Sequence, residues 1–430
     1  MNGTSNTLVT LAASAIGRAN RKRALRRIQK RNEAQRNLTR LGRTAAEQLL
    51  PCGCRCGNVC ISGASQETRN RLLVQSVLQS ASEGLPAVVL HEGNRPLEAA
   101  LSRACAHFPY FRIINSRSPF YEPVLRLRDE EAAMMIAAAS DAGSRIDAAG
   151  VLYLRALAAL LRRRGIAPYL RMLAACPHNA LQSVILQQEQ AGRLTGDEAT
   201  AIRNDVSAGA ASRPAIECFF AQLLRETEIL AWKKHLPQSA SIGACLNAGG
   251  VIVIDVGSAG RKTQLALIAA ELEHWLAKGR RCRVVLDAAC VGAAGRLAAL
   301  LKSASGALRW TVSVPDIGGA GGYGGANAAE GEAAAWLALS HKAVVFAHPF
   351  HSARQLSGAF GEYERLEIAQ SHAGNSSFGR FGLHFGANNQ VSVSNKRERV
   401  VQPEEICGLG QGEFFLLDNA AASLYRGTLV

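Results

Sequence analysis

Short apolar runs, each closed by Gly, Asp, Asn or Ser and followed by a helical period, recur in two parts of this chain. VCIS at 59–62 opens the first part, then a helix over 69–82, AVVLHEGN (87–94) and FRIINSRSPF (111–120). GGVIVIDVGS (249–258), RVVLDA (283–288), RWTVSV (309–314) and AVVFAH (343–348) make up the second, with RKTQLALIAAELEHWLAKG and GRLAALLKSA as helices between them. Uninterrupted apolar strands alternating with helices predict a mainly parallel sheet covered on both faces. Between the two parts the period changes. EEAAMMIAAAS, AAGVLYLRALAALLRRRG, IAPYLRMLAAC and IECFFAQLLRETEILAW are helical, with almost no strand signal. The chain therefore divides into a basic helical or disordered arm (1–50), half of an α/β domain (51–128), an inserted all-helical domain (129–238) and the second half (239–430). Residues 360–430 of that second half read as short strands and turns.

The net charge of +15 suits an anionic partner, nucleic acid or an acidic membrane surface; Arg-rich codon usage gives the same excess. Much of it lies in 18–43, where eleven Arg or Lys face one acid, Glu33. Leu25, Ile28, Leu38 and Leu41 recur there at helical spacing. Arg21, Lys22, Arg23, Arg26, Arg27, Lys30 and Arg31 are the candidates for phosphate contacts, on DNA or on anionic lipid. A solvated basic tail is the alternative. No apolar run approaches the roughly 18 residues of a membrane span. LVTLAASAIG near the start has its charges behind it, unlike a signal peptide, so the expected location is the cytoplasm, with the arm able to touch the inner face of the membrane.

Seven of the eleven cysteines sit singly among apolar residues, as reduced thiols do. Cys52, Cys54, Cys56 and Cys60 cluster as CxCxCxxxC, close enough for zinc but without the second ligand pair that structural zinc sites use; Cys60 is expected in the core.

After the first strand comes a phosphate-loop spacing. GxxxxGK[ST] works because backbone N–H groups cradle phosphates, Lys reaches the terminal phosphates and the hydroxyl holds Mg2+. The aligned octet is Gly63, Ala64, Ser65, Gln66, Glu67, Thr68, Arg69 and Asn70. Thr68 replaces the second Gly and is expected in a loop conformation that Gly accepts more easily. Arg69 replaces Lys, Asn70 replaces the hydroxyl, and Glu67 adds negative charge.

In its order of parts the chain resembles the coupling proteins of type IV secretion and conjugation, in the FtsK/HerA-like branch of RecA-type P-loop ATPases. The likeness spans roughly 59–418. It rests on the loop strand, the helical insertion, VIVIDVGSAGRKTQLALIAAELEHWLAKGRRCRVVLDAACVG, and the ending at Gly361-Glu362-Tyr363-Glu364, Lys396-Arg397-Glu398-Arg399 and Pro403-Glu404-Glu405-Ile406. The resemblance implies a RecA-like nucleotide-binding domain with an inserted all-α domain and a C-terminal β-rich extension. It also implies a ring that uses ATP and Mg2+ to bring DNA, or a DNA–protein transfer complex, to a secretion channel beside relaxosome proteins. Carried over, Asp287 keeps the magnesium-site acid. The water-activating Glu is Ala288, and the polar sensor after Val312-Ser313-Val314 is absent. Losing a general base costs on the order of 10²–10⁴ in rate. The expected role is then recruitment or scaffolding with weak or no ATP use. The alternatives are a working motor that uses Arg69 with Glu92 or Asp255, and a basic DNA-binding module on an α/β platform.

Other features are read as structural. Arg162-Arg163-Arg164 ends a helix before Gly165, where cations suit the dipole. His341, His348 and His351 lack an acidic partner nearby in sequence, and the Gly-rich 318–325 lacks a dinucleotide setting. Lys262 is a candidate to approach a phosphate from another subunit.

Overall fold

The computed structural model describes residues 22–50, 57–117, 121–124, 126–140, 145–176, 178–227, 230, 240–257, 262–287, 295–303, 306–317, 335–379 and 382–430. In chain order, helix α1 (22–36) leads to strand β1 (Leu38–Thr44) and a short helix α2 (Ala46–Leu49). Strand β2 (Val59–Ser62), helix α3 (Gln66–Ser82), strand β3 (Ala87–His91), helix α4 (Arg95–Cys105) and strand β4 (Phe111–Ile114) follow. Then come α5 (Asp129–Ala139), α6 (Ala148–Arg163), α7 (Leu170–Ala174), α8 (Leu181–Gln190), α9 (Gly196–Ala208) and α10 (Arg213–Glu226), with no strand among the described residues of 129–226. The α/β alternation resumes with α11 (Ile242–Ala248), β5 (Val251–Asp255), α12 (Lys262–Ala277), β6 (Cys282–Asp287), α13 (Gly295–Ser303) and β7 (Leu308–Val314). Helix α14 (335–339), β8 (Lys342–Val345), α15 (Phe350–Ala359), β9 (Glu362–Gly379), β10 (Gly382–Arg399), α16 (Pro403–Cys407), β11 (Glu413–Asp418) and β12 (Ser423–Leu429) complete the chain.

Two compact units emerge, residues 44–345 with 429–430, and residues up to 43 with 346–428. In the first, seven strands lie in the order β8-β2-β7-β6-β3-β5-β4, and every neighbouring pair is parallel. β2, β3, β5 and β6 are buried along their whole length. That is why they read as unbroken apolar runs rather than alternating ones. β7 lies between β2 and β6, so the strand ending in Asp287 is one strand removed from the strand that feeds the loop at Gly63.

In the second unit β1 neighbours β12, β12 pairs antiparallel with β11, and β9 and β10 form a separate ribbon. Two expectations change here. Leu38 and Leu41 lie on a strand, not on a longer helix; α1 stops at 36, and Asn37, with φ of 49°, turns the chain. The stretch 362–399 is two strands of 18 residues each, not several short ones. Its small polar residues disguise the alternation that marks a strand.

Candidate functional site

β2 ends at Ser62, and the chain turns through two left-handed residues, Gly63 (φ 81°) and Ala64 (φ 68°). Gly63 N–H donates to Val314 O at 3.0 Å, tying the turn to the end of β7. Ser65 is extended and caps α3: its Oγ accepts from Thr68 N–H at 3.2 Å and lies 3.0 Å from Thr68 Oγ1. The helix therefore begins at Gln66, not at 69, and Thr68 is helical where a loop residue was expected. Ser followed by Gln and Glu is a good helix start, because the cap satisfies a first-turn N–H and Glu67 suits the positive end of the helix. Gln66 and Glu67 are exposed.

Arg69 points the other way. It is 7% exposed, and Nη1 donates to Ala64 O at 2.8 Å, so the guanidinium folds back under its own turn. Burial lowers its pKa, and the nearby negative charge of Asp287 pulls in the opposite direction. Nε makes no hydrogen bond. The next residue along the helix is the buried Asn70.

Asp287, at the end of β6, is 4% exposed. Its Oδ2 accepts from Asn94 Nδ2 at 2.6 Å, while Oδ1 makes no hydrogen bond. Asn94 also pairs with Asn70 through both side-chain amides, at 2.8 and 3.2 Å. Its Oδ1 accepts from Leu97 N–H at 3.1 Å, capping α4. One neutral amide thus joins the helix after the loop, the helix after β3 and the acid of β6. Reading 87–94 as strand hid this residue. The signal that finds it is Asn94-Arg95-Pro96, an N-cap followed by Pro in the first turn.

A second polar cluster sits at the ends of β3 and β5. His91, Glu98 and Asp255 bring one potential ligand atom each to within 4.8 Å of one another. The hydrogen bonds argue against a metal there. His91 Nδ1 accepts from Asn94 N–H at 3.1 Å, so the ring proton is on Nε2, which faces Glu98 Oε1 at 3.4 Å. A ligating imidazole usually presents Nε2 and donates through the other nitrogen. Arg95 reaches both carboxylates instead, at 2.9 Å from Glu98 and 3.6 Å from Asp255. Burial favours the neutral Glu98 acid, but His91, Arg95 and Asn115 outweigh it and hold the carboxyl at about 2. Asp255 Oδ1 accepts from the N–H groups of Gly93 and Gly257, so this acid organises two turns. Glu92 is half-buried just beyond β3.

A third pair anchors the helical insertion. Tyr121 Oη donates to Glu271 Oε2 at 2.5 Å, and Gly243 N–H donates to Oε1 at 2.8 Å. Burial pushes Glu271 up to about 7, and also raises Glu122, which accepts from Leu170 N–H.

On α1, Lys22, Arg23, Arg26, Arg27, Lys30 and Arg31 are all exposed. The more covered positions, Ile28, Asn32 and Arg36, recur every four residues along the opposite side. None of those six cations makes an ion pair with another described residue; Arg36, by contrast, pairs with Glu405. Arg162 and Arg163 are paired, with Asp129 and Glu198, and Gly165 ends the helix with φ of 70°. Lys262 is exposed at the start of α12. His341 Nδ1 accepts from Asn58 N–H at 3.0 Å, and His348 is buried. Cys60 lies in the core, as expected, and burial pushes its thiol up to about 12. Arg21, Cys52, Cys54, Cys56, Ala288 and 318–325 lie outside the described residues. No helix among the described residues is long and apolar enough to cross a membrane.

No family model and no curated protein matches this chain. Solved structures do. The unbound form of the bacterial conjugative coupling protein TrwBdeltaN70 matches with a TM-score of 0.52 at 16% identity, covering 93% of this chain and 92% of its own. The plasmid coupling protein TrwB in complex with ADP and Mg2+ matches with a TM-score of 0.50 at 17% identity, covering 94% and 91%. This chain has the fold of a conjugative coupling protein, a RecA-like, mainly parallel α/β domain interrupted by an all-α insertion.

Proposed function

We propose that this chain is a coupling-protein-like component of conjugative DNA transfer or type IV secretion that recruits substrate or scaffolds a ring without running an ATP hydrolysis cycle. The observation that carries this reading is the Asn94 amide, bonded at once to Asp287 and Asn70. In a P-loop enzyme of this resemblance those two positions would hold Mg2+. A cation there would have to displace a neutral amide that also caps α4. The loop supports the same reading. Its helix is already capped by Ser65, and its one basic side chain is committed to Ala64 O. Phosphoryl transfer depends almost wholly on positioning and electrostatics, so a site with these donors turned inward fits ATP·Mg2+ poorly.

The partner we propose for the exposed cations of α1 is DNA or a DNA–protein transfer complex. Six phosphate contacts would give a slope of log K against log salt near ~−5, from about −0.9 per contact on duplex DNA.

Calorimetric titration with ATP and Mg2+, paired with a phosphate-release assay, tests the first part. The expected result is no turnover and no saturable heat. Steady Mg2+-dependent hydrolysis that disappears in Asp287→Ala overturns the reading and restores a working motor. Duplex binding that keeps its salt slope after Arg26→Glu, Arg27→Glu and Lys30→Glu together removes α1 as the contact surface.

A further inference from the structure

β9 and β10 pair over 18 rungs, from Glu362↔Arg399 to Gly379↔Gly382. No third strand joins either edge among the described residues. The direction of the backbone groups follows from one contact on β9. Asn32 accepts from Leu366 N–H at 3.0 Å and donates to Leu366 O at 3.1 Å, so both groups of Leu366 point away from β10. Opposed residues in an antiparallel pair alternate between exchanging both bonds and exchanging none. Asn395, opposite Leu366, therefore also points its N–H and C=O outward, and so does every second residue of β10 down to Leu383. The β9 edge has α1 beside it at Leu366, through Asn32. Among the described residues the β10 edge is a ladder without a partner.

Exposed edges are normally protected by charge, proline or shortness. The base of this ribbon has such charges. Arg365 pairs with Glu398 at 2.8 Å, Lys396 lies 3.9 Å from Glu367, and Glu364 and Glu362 stand opposite Arg397 and Arg399. Beyond it they stop. From Ile368 to Asn395 the sequence holds one formal charge, Arg380, and no proline. A lone two-stranded ribbon is marginal in water at best, and this one is long. Its composition, Ser, Asn, Gln, Gly, Ala and Val, gives an edge that another edge can join without bringing like charges together.

We infer that the outer edge of β10 over 383–395 pairs, antiparallel and about a two-fold axis, with the same edge of a second copy of this chain. Charge selects that occupant. An anionic partner would be drawn to the basic face of α1, whereas two copies of net charge +15 can meet closely only where the surface is neutral. An isologous pair closes on itself, leaving no free β10 edge to propagate.

Sedimentation of the full chain over a concentration series tests this, together with a photo-crosslinking residue placed at Asn389. The expected result is a concentration-dependent dimer whose cross-links map to 383–395 of the second chain. Val391→Pro removes an outward N–H and no bond within the hairpin. It should weaken dimerisation at least ~10-fold through lost bonds and the bulk of the ring. In a separate chain, Asn389→Lys, at the midpoint of 383–395, sets two like charges opposite each other at the two-fold axis and should act in the same direction. Hydrogen exchange on β9 shows whether the hairpin itself persists in each variant. A chain that stays monomeric throughout, cross-links that map elsewhere, or a dimer that both variants leave unchanged overturns the proposal.

Discussion

Asn94 and Glu98 stand one turn apart at the start of α4, and the polar clusters they hold are finished to different degrees. Glu98 has a guanidinium and an amide on each oxygen, with a histidine close by. Asp287, held by Asn94, has one amide on one oxygen and no hydrogen bond on the other. Arg69, the cation nearest in role, bonds to a carbonyl and leaves Nε without a partner. Buried polar groups are normally satisfied, since each orphaned one costs roughly 1–3 kcal/mol. Each cluster leaves one nitrogen without a hydrogen bond, His91 Nε2 in the first and Arg69 Nε in the second, but only the second also leaves a carboxylate oxygen, Asp287 Oδ1, without a donor.

The largest effect expected is at Asn94. Asn94→Ala removes the cap of α4 and leaves a buried carboxylate without a donor, a loss of about 3 kcal/mol in urea unfolding. Asp287→Asn in the same chain should recover part of it, and a double-mutant cycle reads the coupling. A loss near the ~1 kcal/mol of a cap alone would show that Asp287 gains nothing from the amide.

Acid separates the clusters next. The carboxyl of Glu98 sits at about 2, below its ordinary 4.5, so its contribution is present above 4.5 and is lost as pH falls through 2. That limb is worth about 3 kcal/mol, and Glu98→Gln should flatten it. Identical acid limbs in variant and wild type would show that the contacts to Arg95 and Asn115 do not matter. Glu271 should behave in the opposite sense. Burial raises it from 4.5 to about 7, so its contribution is largest below 4.5 and falls as pH rises to 7. Glu271→Gln should remove that decline from the stability profile between pH 5 and 8.

The smallest effect tests the turn. Ala64 holds φ of 68°, a region that costs a residue with a Cβ roughly 1 kcal/mol, so Ala64→Gly should stabilise by about that amount in thermal unfolding. An unchanged midpoint would mean that the turn carries no strain.

The sheet was legible because burial on both faces writes strands as unbroken apolar runs: VIVID and CRVVLD could hardly be anything else. Asp287 was legible for the same reason, standing at the end of one of them. The partners of Asp287 were not. Contact between Asn94, Asn70 and Asp287 spans almost two hundred residues and is decided by strand order, which local patterns do not encode. The start of α3 was misplaced because matching the loop octet assumed a loop of ordinary length, when Ser65 already supplied a cap. β1 was missed because Leu38 and Leu41, three apart, fit a helical period better than an alternating one. The long ribbon escaped because Ser, Asn and Gly carry little strand propensity of their own.

The position of β2 in the sheet also bears on synthesis. β2 ends at Ser62, and both strands that flank it, β7 and β8, begin only at Leu308 and Lys342. At about 5–20 residues per second the ribosome needs on the order of tens of seconds to deliver them. The helices of 129–226 pack on one another and on α12, all of them made before β7, and can fold during that interval. β2 cannot, and until its neighbours arrive it is an apolar strand with two open sides. The segment that carries the loop is the one that nascent-chain chaperones should hold longest.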